Sequence, residues 1–310
     1  MSQPLHVTTP LLFSSALSEQ LGVQVWLKME ALQPSGSFKN RGVGYACQHY
    51  VDNGAEHLLA SSGGNAGLAV AYAGRQLRVP VTVVVPKTTK PQAIKLIEQQ
   101  QARVMIHGEN WDQAHRRALA LKTSQCAYVH PFDDPLLWQG HASLIDEVIA
   151  DGFTPEVVVL SVGGGGLLCG VAKGLLKHGL TNCSIIAAET EGAASFHSAL
   201  NSNQPVTIDA IDTIATSLGA QKVTQQALAY SQQLPIKSVT VSDEEALNGC
   251  FELLEMNRVV TEPACGASIA ALRASARTLL PETKVLLVVC GGVGTGIEQL
   301  WRWRQQFIKN

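Results

Sequence analysis

Lys39 lies in the stretch Pro34-Ser35-Gly36-Ser37-Phe38-Lys39-Asn40-Arg41-Gly42, a setting that gives an ordinary amine unusual neighbours. The stretch follows an apolar, strand-like run, Val23 to Lys28, and precedes a helix-compatible segment reaching about Asn53. Gly36 and Ser37 read as loop and N-cap residues, which puts Lys39 in or near the first helical turn. Helix N-termini favour anions, so a solvated ammonium is poorly placed there. An amine held at that point can instead form a Schiff base with a carbonyl cofactor. An ordinary surface lysine is the competing reading, and the segment alone does not choose between them.

Three further stretches share one local geometry, a glycine-rich loop between an apolar run and a helix-length segment. Ser61-Ser62-Gly63-Gly64-Asn65-Ala66-Gly67 leads into Leu68–Leu77, and Gly163-Gly164-Gly165-Gly166 joins Val157–Val162 to Leu167–His178. Cys290-Gly291-Gly292-Val293-Gly294 follows Lys284–Val289. Four consecutive glycines leave backbone N–H groups free to converge on an anion, and the next helix adds its positive end, so this loop reads as a phosphate cup. The N–H groups after Ser62 suit a carboxylate, and the Asn65 amide can donate to a phenolate-type oxygen. The plainer reading there is a Ser/Asn helix cap with glycines easing the turn. Cys290 is either a core thiol or a weak hydrogen-bond partner for a ring nitrogen. Such a partner leaves the nitrogen largely unprotonated, where a carboxylate would stabilise a pyridinium.

The tetraglycine loop also admits a dinucleotide reading, with Glu189 closing the next strand where a ribose-binding acid sits. A GxGxxG counted from Gly163 or Gly164 needs glycine at Leu168 or Cys169, and neither is one. A nicotinamide-dependent oxidoreductase is therefore the alternative from another reaction class.

Short β-branched runs alternate with alanine- and leucine-rich segments almost to the end of the chain. Strands are expected at Gln24–Lys28, His57–Ser61, Val79–Val85, Arg103–His107, Val157–Val162, Ser184–Glu189, Lys237–Val241 and Lys284–Cys290. Helices are expected at segments such as Ala66–Leu77, Gln92–Gln101, Trp111–Lys122 and Leu144–Ala150. Continuous apolar strands separated by helices indicate α/β architecture with parallel sheets covered on both faces. One sheet holding every strand would be large for a single core, so the chain divides into two three-layer domains. Residues 1–36 and 136–310 form the larger, and residues 37–135 a smaller inserted one. A cleft between them is the natural ligand site, since ligands gather at the carboxyl ends of parallel strands.

The net charge of -2 at pH 7 argues against nucleic acid or an anionic membrane as the main partner. Residues Met1 to Pro10 lack the pattern of a signal peptide, and no apolar run approaches membrane-spanning length. The seven scattered cysteines read as reduced, buried thiols of a cytoplasmic protein. The nine histidines form no zinc-site spacing.

Taken together, these stretches resemble the serine/threonine dehydratases of the tryptophan-synthase-β-like, fold type II pyridoxal phosphate enzymes. The resemblance spans nearly the whole chain. It adds Leu27-Lys28-Met29-Glu30, Pro131-Phe132-Asp133-Asp134-Pro135 with Gly140-His141-Ala142-Ser143, Ser161–Gly170, Glu189 and Glu262-Pro263-Ala264-Cys265-Gly266-Ala267 to the segments above. Cys290 and the wording around the tetraglycine loop are similar to the short L-serine dehydratase branch. The resemblance implies that Lys39 holds pyridoxal 5'-phosphate covalently, with Phe38 packed on its ring, Gly163 to Gly166 on its phosphate, Asn65 on its ring hydroxyl and Cys290 on its ring nitrogen. Ser62, Gly63 and Gly64 would hold the substrate carboxylate, and a monovalent cation such as K+ would sit near Gly163, Glu189 and Ala193. The implied reaction is β-elimination of L-serine, or L-threonine, giving a 2-oxo acid and ammonia in a homodimeric enzyme. Serine racemisation is a neighbouring possibility within the same fold. Absence of sequence beyond Asn310 for a regulatory domain points to amino-acid degradation.

Two positions depart from the pattern: Gly294, where relatives often carry Asn, and Gly63, where close relatives carry alanine. Trp301-Arg302-Trp303-Arg304 reads as surface or subunit packing, His141 as support for the domain hinge, and Ser242 with Glu245 as a capping box.

Overall fold

The computed structural model describes residues 3–309. Its strands are β1 (Leu11–Phe13), β2 (Gln24–Lys28), β3 (His57–Ala60), β4 (Val81–Val85), β5 (Arg103–Ile106), β6 (Cys126–Tyr128), β7 (Val157–Ser161), β8 (Ser184–Thr190), β9 (Ile236–Val241) and β10 (Lys284–Val288). Its helices are α1 (Ser15–Leu21), α2 (Lys39–Asp52), α3 (Asn65–Leu77), α4 (Pro91–Gln99), α5 (Trp111–Ala120) and α6 (Pro135–Ala150), then α7 (Gly166–Lys177), α8 (Ser195–Ser202), α9 (Gln225–Tyr230), α10 (Asp243–Asn257), α11 (Pro263–Ala276) and α12 (Ile297–Lys309).

Two sheets result. One has the order β1-β2-β10-β7-β8-β9, the other β5-β4-β3-β6. Every pairing is parallel except that of β1 with β2. The reason is visible in composition. Val81-Thr82-Val83-Val84-Val85 and Val157-Val158-Val159-Leu160-Ser161 are buried at every position, as strands covered on both faces require. Expected strands appear within one or two residues of their sequence positions. β1 and β6 do not figure among the expected strands, because each has only three residues and neither is continuously buried.

The larger sheet packs its core through Val25, Leu27, Val158, Val159, Ile185, Ala187 and Leu286, with Ile269 and Leu272 of α11. The smaller packs Leu58, Ala60, Val83 and Val85 against Val43 of α2 and Val70 of α3. Between the two cores lies a buried ion network. Arg41 donates to Glu30 through Nε (2.7 Å) and Nη2 (2.7 Å), and to Glu147 through Nη1 (2.7 Å) and Nη2 (2.6 Å). Lys28 adds a 2.7 Å contact to Glu147 and donates to the carbonyl of Thr9. Two cations thus face two carboxylates, binding β2, α2, α6 and the chain before β1 to one another. Gly140 lets α2 and α6 meet this closely: a Cβ there would lie 2.5 Å from the Arg41 carbonyl oxygen.

Trp301 lies at the surface, about half exposed, with its ring centre 4.9 Å from that of Phe251. The Arg304 guanidinium lies 4.4 Å from the Phe251 ring centre and 5.3 Å from that of Trp301. Ser242 and Glu245 form the expected capping box of α10. Six of the cysteines are buried and Cys126 is half-buried, all of them free thiols.

Candidate active site

Lys39 is the first residue of α2. Phe38 occupies the N-cap and no side chain caps the helix, so Ser37 does not play the capping role its residue type suggests. Its hydroxyl, buried, has no partner among the described residues. Ser37 instead bridges Gly291, because this segment runs beside the Cys290 loop. The Phe38 N–H donates to the Cys290 carbonyl (3.1 Å) and the Gly292 N–H to the Gly36 carbonyl (2.8 Å). Two stretches about 250 residues apart are thereby joined by backbone bonds.

The Lys39 amine donates to the Pro131 carbonyl at 2.5 Å and lies 5.0 Å from the Phe38 ring centre. Part of the side chain reaches solvent, yet desolvation of the amine lowers its pKa to about 8, against weaker upward pulls from Cys290 and Glu262. Phe38 packs on His141 with ring centres 5.0 Å apart. His141 is wholly buried, accepts from the Gly42 N–H through Nδ1 (3.1 Å), and is held well below its usual pKa by burial. His130 holds the Pro131 loop, accepting from the N–H groups of Phe132 (3.2 Å) and Asp133 (2.8 Å), and burial lowers its pKa to about 4.

The tetraglycine loop opens α7 with Gly165 at φ 91, a left-handed conformation that costs other residues strain. A Cβ on Gly164 would lie 2.2 Å from the Phe132 ring, and one on Gly163 3.0 Å from the Leu218 Cα. The loop is thus walled on both sides by backbone and ring. Among the described residues, the N–H groups of Gly163, Gly164, Gly165 and Gly166 donate to no protein acceptor. These N–H groups fit a phosphate, which they can bind with the helix dipole behind them.

The loop after β3 departs from a simple cap. Gly64 is the N-cap without a side-chain bond, and Asn65 is the first residue of α3. Its amide reaches away from its own helix: Oδ1 accepts from the Val293 N–H (3.1 Å) and Nδ2 donates to Glu262 (2.7 Å). Ser62 accepts from the Gly64 N–H (3.2 Å). Gly63 lies against Thr89, whose Cγ2 would be 2.6 Å from an added Cβ.

Cys290 is buried, its thiol donates to the Gly291 carbonyl (3.9 Å), and the neighbouring Cys265 thiol together with burial holds it well above its usual pKa and therefore protonated. Glu262 is the residue that motif reasoning left without a role. It precedes α11, is 6% exposed, and accepts from both Asn65 and Ser217 (2.5 Å). Its signal in the sequence was its place at the head of the Glu262-Pro263-Ala264-Cys265-Gly266-Ala267 stretch, which carried the resemblance without giving the acid a role.

Glu189, Gly163 and Ala193 are brought to one end of β7 and β8, but Glu189 is already engaged. It accepts from the N–H groups of Phe196 (2.8 Å) and His197 (2.7 Å) at the start of α8. Desolvation nevertheless raises its pKa to about 7. Among the described residues no group of three or more His, Cys, Asp or Glu side chains could hold a metal ion.

Comparison with known proteins places the chain as a whole. Human serine dehydratase-like protein is 46% identical over 300 residues, covering 94% of this chain and 91% of that protein. Human L-serine dehydratase/L-threonine deaminase is 43% identical over 317 residues, covering 98% and 96%. The solved structure of an L-serine ammonia-lyase from the fungus Rhizomucor miehei matches with a TM-score of 0.92 at 33% identity, covering 98% of this chain and 99% of that one. A family model described as pyridoxal-phosphate dependent enzyme matches residues 3–291, and the chain belongs to that family.

Proposed function

We propose that this protein is a lyase that removes water and ammonia from L-serine, and also acts on L-threonine, yielding pyruvate or 2-oxobutanoate. The observation that carries the reading is a desolvated lysine, Lys39, held beside a protonated thiol, Cys290, in a site whose tetraglycine loop keeps its N–H groups unpartnered. Similarity to serine dehydratases and an L-serine ammonia-lyase supports the substrate class. The nicotinamide alternative has no comparable support, and nothing in the site favours racemisation over elimination.

Pyridoxal phosphate, when bound, supplies the electron sink that acidifies the substrate Cα–H and lets the β-hydroxyl depart. Lys39 would hold it, with Phe38 against the ring, Gly163 to Gly166 on the phosphate, Asn65 on the ring hydroxyl and Cys290 on the ring nitrogen. Lys39 would take the Cα proton at Nζ; its lowered pKa leaves about half of that amine neutral near pH 8. Ser62, Gly63 and Gly64 would hold the substrate carboxylate and so set the face from which Lys39 acts. Because its thiol stays protonated, Cys290 would offer the ring nitrogen no negative charge, which favours elimination. A monovalent cation at Glu189, Gly163 and Ala193 belongs to this reading, supported by a buried carboxylate that has no cationic partner among the described residues.

We assign residues 1–36 and 136–310 to a larger domain and 37–135 to a smaller one, consistent with the two sheets and their separate cores. The assembly we assign is a homodimer. No helix among the described residues is long and apolar enough to cross a membrane.

The test is direct. The purified protein, supplied with pyridoxal phosphate, should absorb in the visible and release pyruvate from L-serine, and Lys39→Ala should lose both properties. A colourless protein whose turnover requires NAD(P) and survives Lys39→Ala would overturn the reading.

A further inference from the structure

We propose that Glu262 is a positioning residue that fixes the Asn65 amide so that one Nδ2 hydrogen stays available to the cofactor's ring hydroxyl. The proposal rests on the assignment of Asn65 made above.

Three observations carry it. The Val293 N–H can only donate, so its 3.1 Å contact puts Oδ1 of Asn65 toward Val293 and Nδ2 on the opposite side. There Glu262 accepts one Nδ2 hydrogen at 2.7 Å. Donor and acceptor together allow the amide a single orientation, and the second Nδ2 hydrogen has no acceptor among the described residues. An amide free to flip would present an acceptor half the time, repelling an oxyanion.

Glu262 is itself held. Ser217 donates to the same oxygen at 2.5 Å. The backbone makes room for it: Gly292 adopts φ 123, and a Cβ there would fall 2.1 Å from the Glu262 carboxyl carbon. A Cβ at Gly294 would lie 3.2 Å from its other oxygen.

No ion pair stabilises this carboxylate. Among the described residues it has no lysine, arginine or histidine nitrogen within 4.0 Å. Burial raises its pKa, opposed by Ser217, Asn65, the Gly294 N–H and Lys90. Burying an unpaired acid costs stability. A fully bonded network does, however, specify one arrangement, and orientation of Asn65 is what this network specifies.

Glu262→Ala should weaken pyridoxal phosphate binding by about five- to tenfold, the worth of one directed hydrogen bond. It should also move the bound cofactor's absorbance from the visible toward the near-ultraviolet band, and lower kcat more than it raises KM. Asn65→Ala should do the same, and Glu262→Ala should add nothing in the Asn65→Ala background. Glu262→Gln should keep the wild-type band ratio, because its amide oxygen still accepts from Nδ2. Additive effects of the two alanine variants, an unchanged band ratio in Glu262→Ala, or a Gln variant resembling the Ala one would each overturn the proposal. If Glu262→Ala does not fold, Ser217→Ala and Glu262→Gln decide: Ser217→Ala should shift the bands partway in the same direction, and no shift overturns it. Wild-type protein that takes up no pyridoxal phosphate would overturn the functional assignment, and this proposal with it. Loss of the proposal alone would leave wild-type colour and turnover intact.

Discussion

At the scale of single residues, Lys39 shows how burial sets reactivity. An ordinary lysine amine is mostly protonated until about pH 10.4, but here desolvation brings the pKa to about 8. The neutral amine is the nucleophile, so the rate at which the apoprotein captures the aldehyde of pyridoxal phosphate should rise with pH and level off above about 8. Stopped-flow absorbance would measure this, and a rate still climbing steeply at pH 10 would contradict it. Gly63 gives a second prediction. Since an added Cβ would meet Thr89, Gly63→Ala should raise KM for L-serine, and Gly63→Ala with Thr89→Ser should recover part of that loss. The lysine, the cup and Cys290 were readable because each is announced by neighbours in sequence. Glu262 was not: its partners, Asn65 and Ser217, lie far off in the chain, and nothing local marks the contact. The Ser37 cap failed for a related reason. Residue type favoured a cap, but the bridge to Gly291 had already set the local backbone.

At the scale of elements, α2 is positioned by charge rather than by a capped end. Arg41, two residues after Lys39, is wholly buried and fully paired with Glu30 and Glu147. Removing one member leaves a buried charge uncompensated, so Arg41→Ala should cost roughly 3–5 kcal/mol of unfolding free energy. Urea denaturation would show it, and a loss below about 1 kcal/mol would mean that the network adds no more than a surface pair. His130 carries the pH dependence of the Pro131 loop. Its folded-state pKa, about 4, lies below the unfolded 6.5, so between those values the unfolded chain binds the extra proton. Stability should therefore fall as pH drops from 6.5 toward 4. His130→Asn, which can still accept from the Phe132 and Asp133 N–H groups, should lessen that decline, leaving the part that the buried His141 contributes. Melting curves at stepped pH would reveal whether it does. Strands of four or more buried residues were legible as elements, whereas β1 and β6, three residues each, are defined by the partners they pair with and not by their own pattern.

At the scale of the molecule, the site draws on both sheets, with Asn65 following β3 and the tetraglycine loop following β7. A ligand engaging both should stabilise the whole. At a hundredfold excess over its dissociation constant, pyridoxal phosphate should add about 2.7 kcal/mol, with most of that gain lost in Lys39→Ala; thermal unfolding with and without the cofactor would test this. The alternation of strand and helix made the parallel sheets legible from sequence, but not their order, and order has a consequence for biosynthesis. β10 lies between β2 and β7, although it is the last strand to emerge from the ribosome. Until then a nascent chain carries a sheet with a vacant slot at its centre and two unpaired strand edges, the kind of surface that recruits foreign strands. The Cys290 loop that flanks Lys39 arrives with that strand. Closure of the larger sheet, and with it the seating of the Cys290 loop beside Lys39, therefore waits on a single late strand.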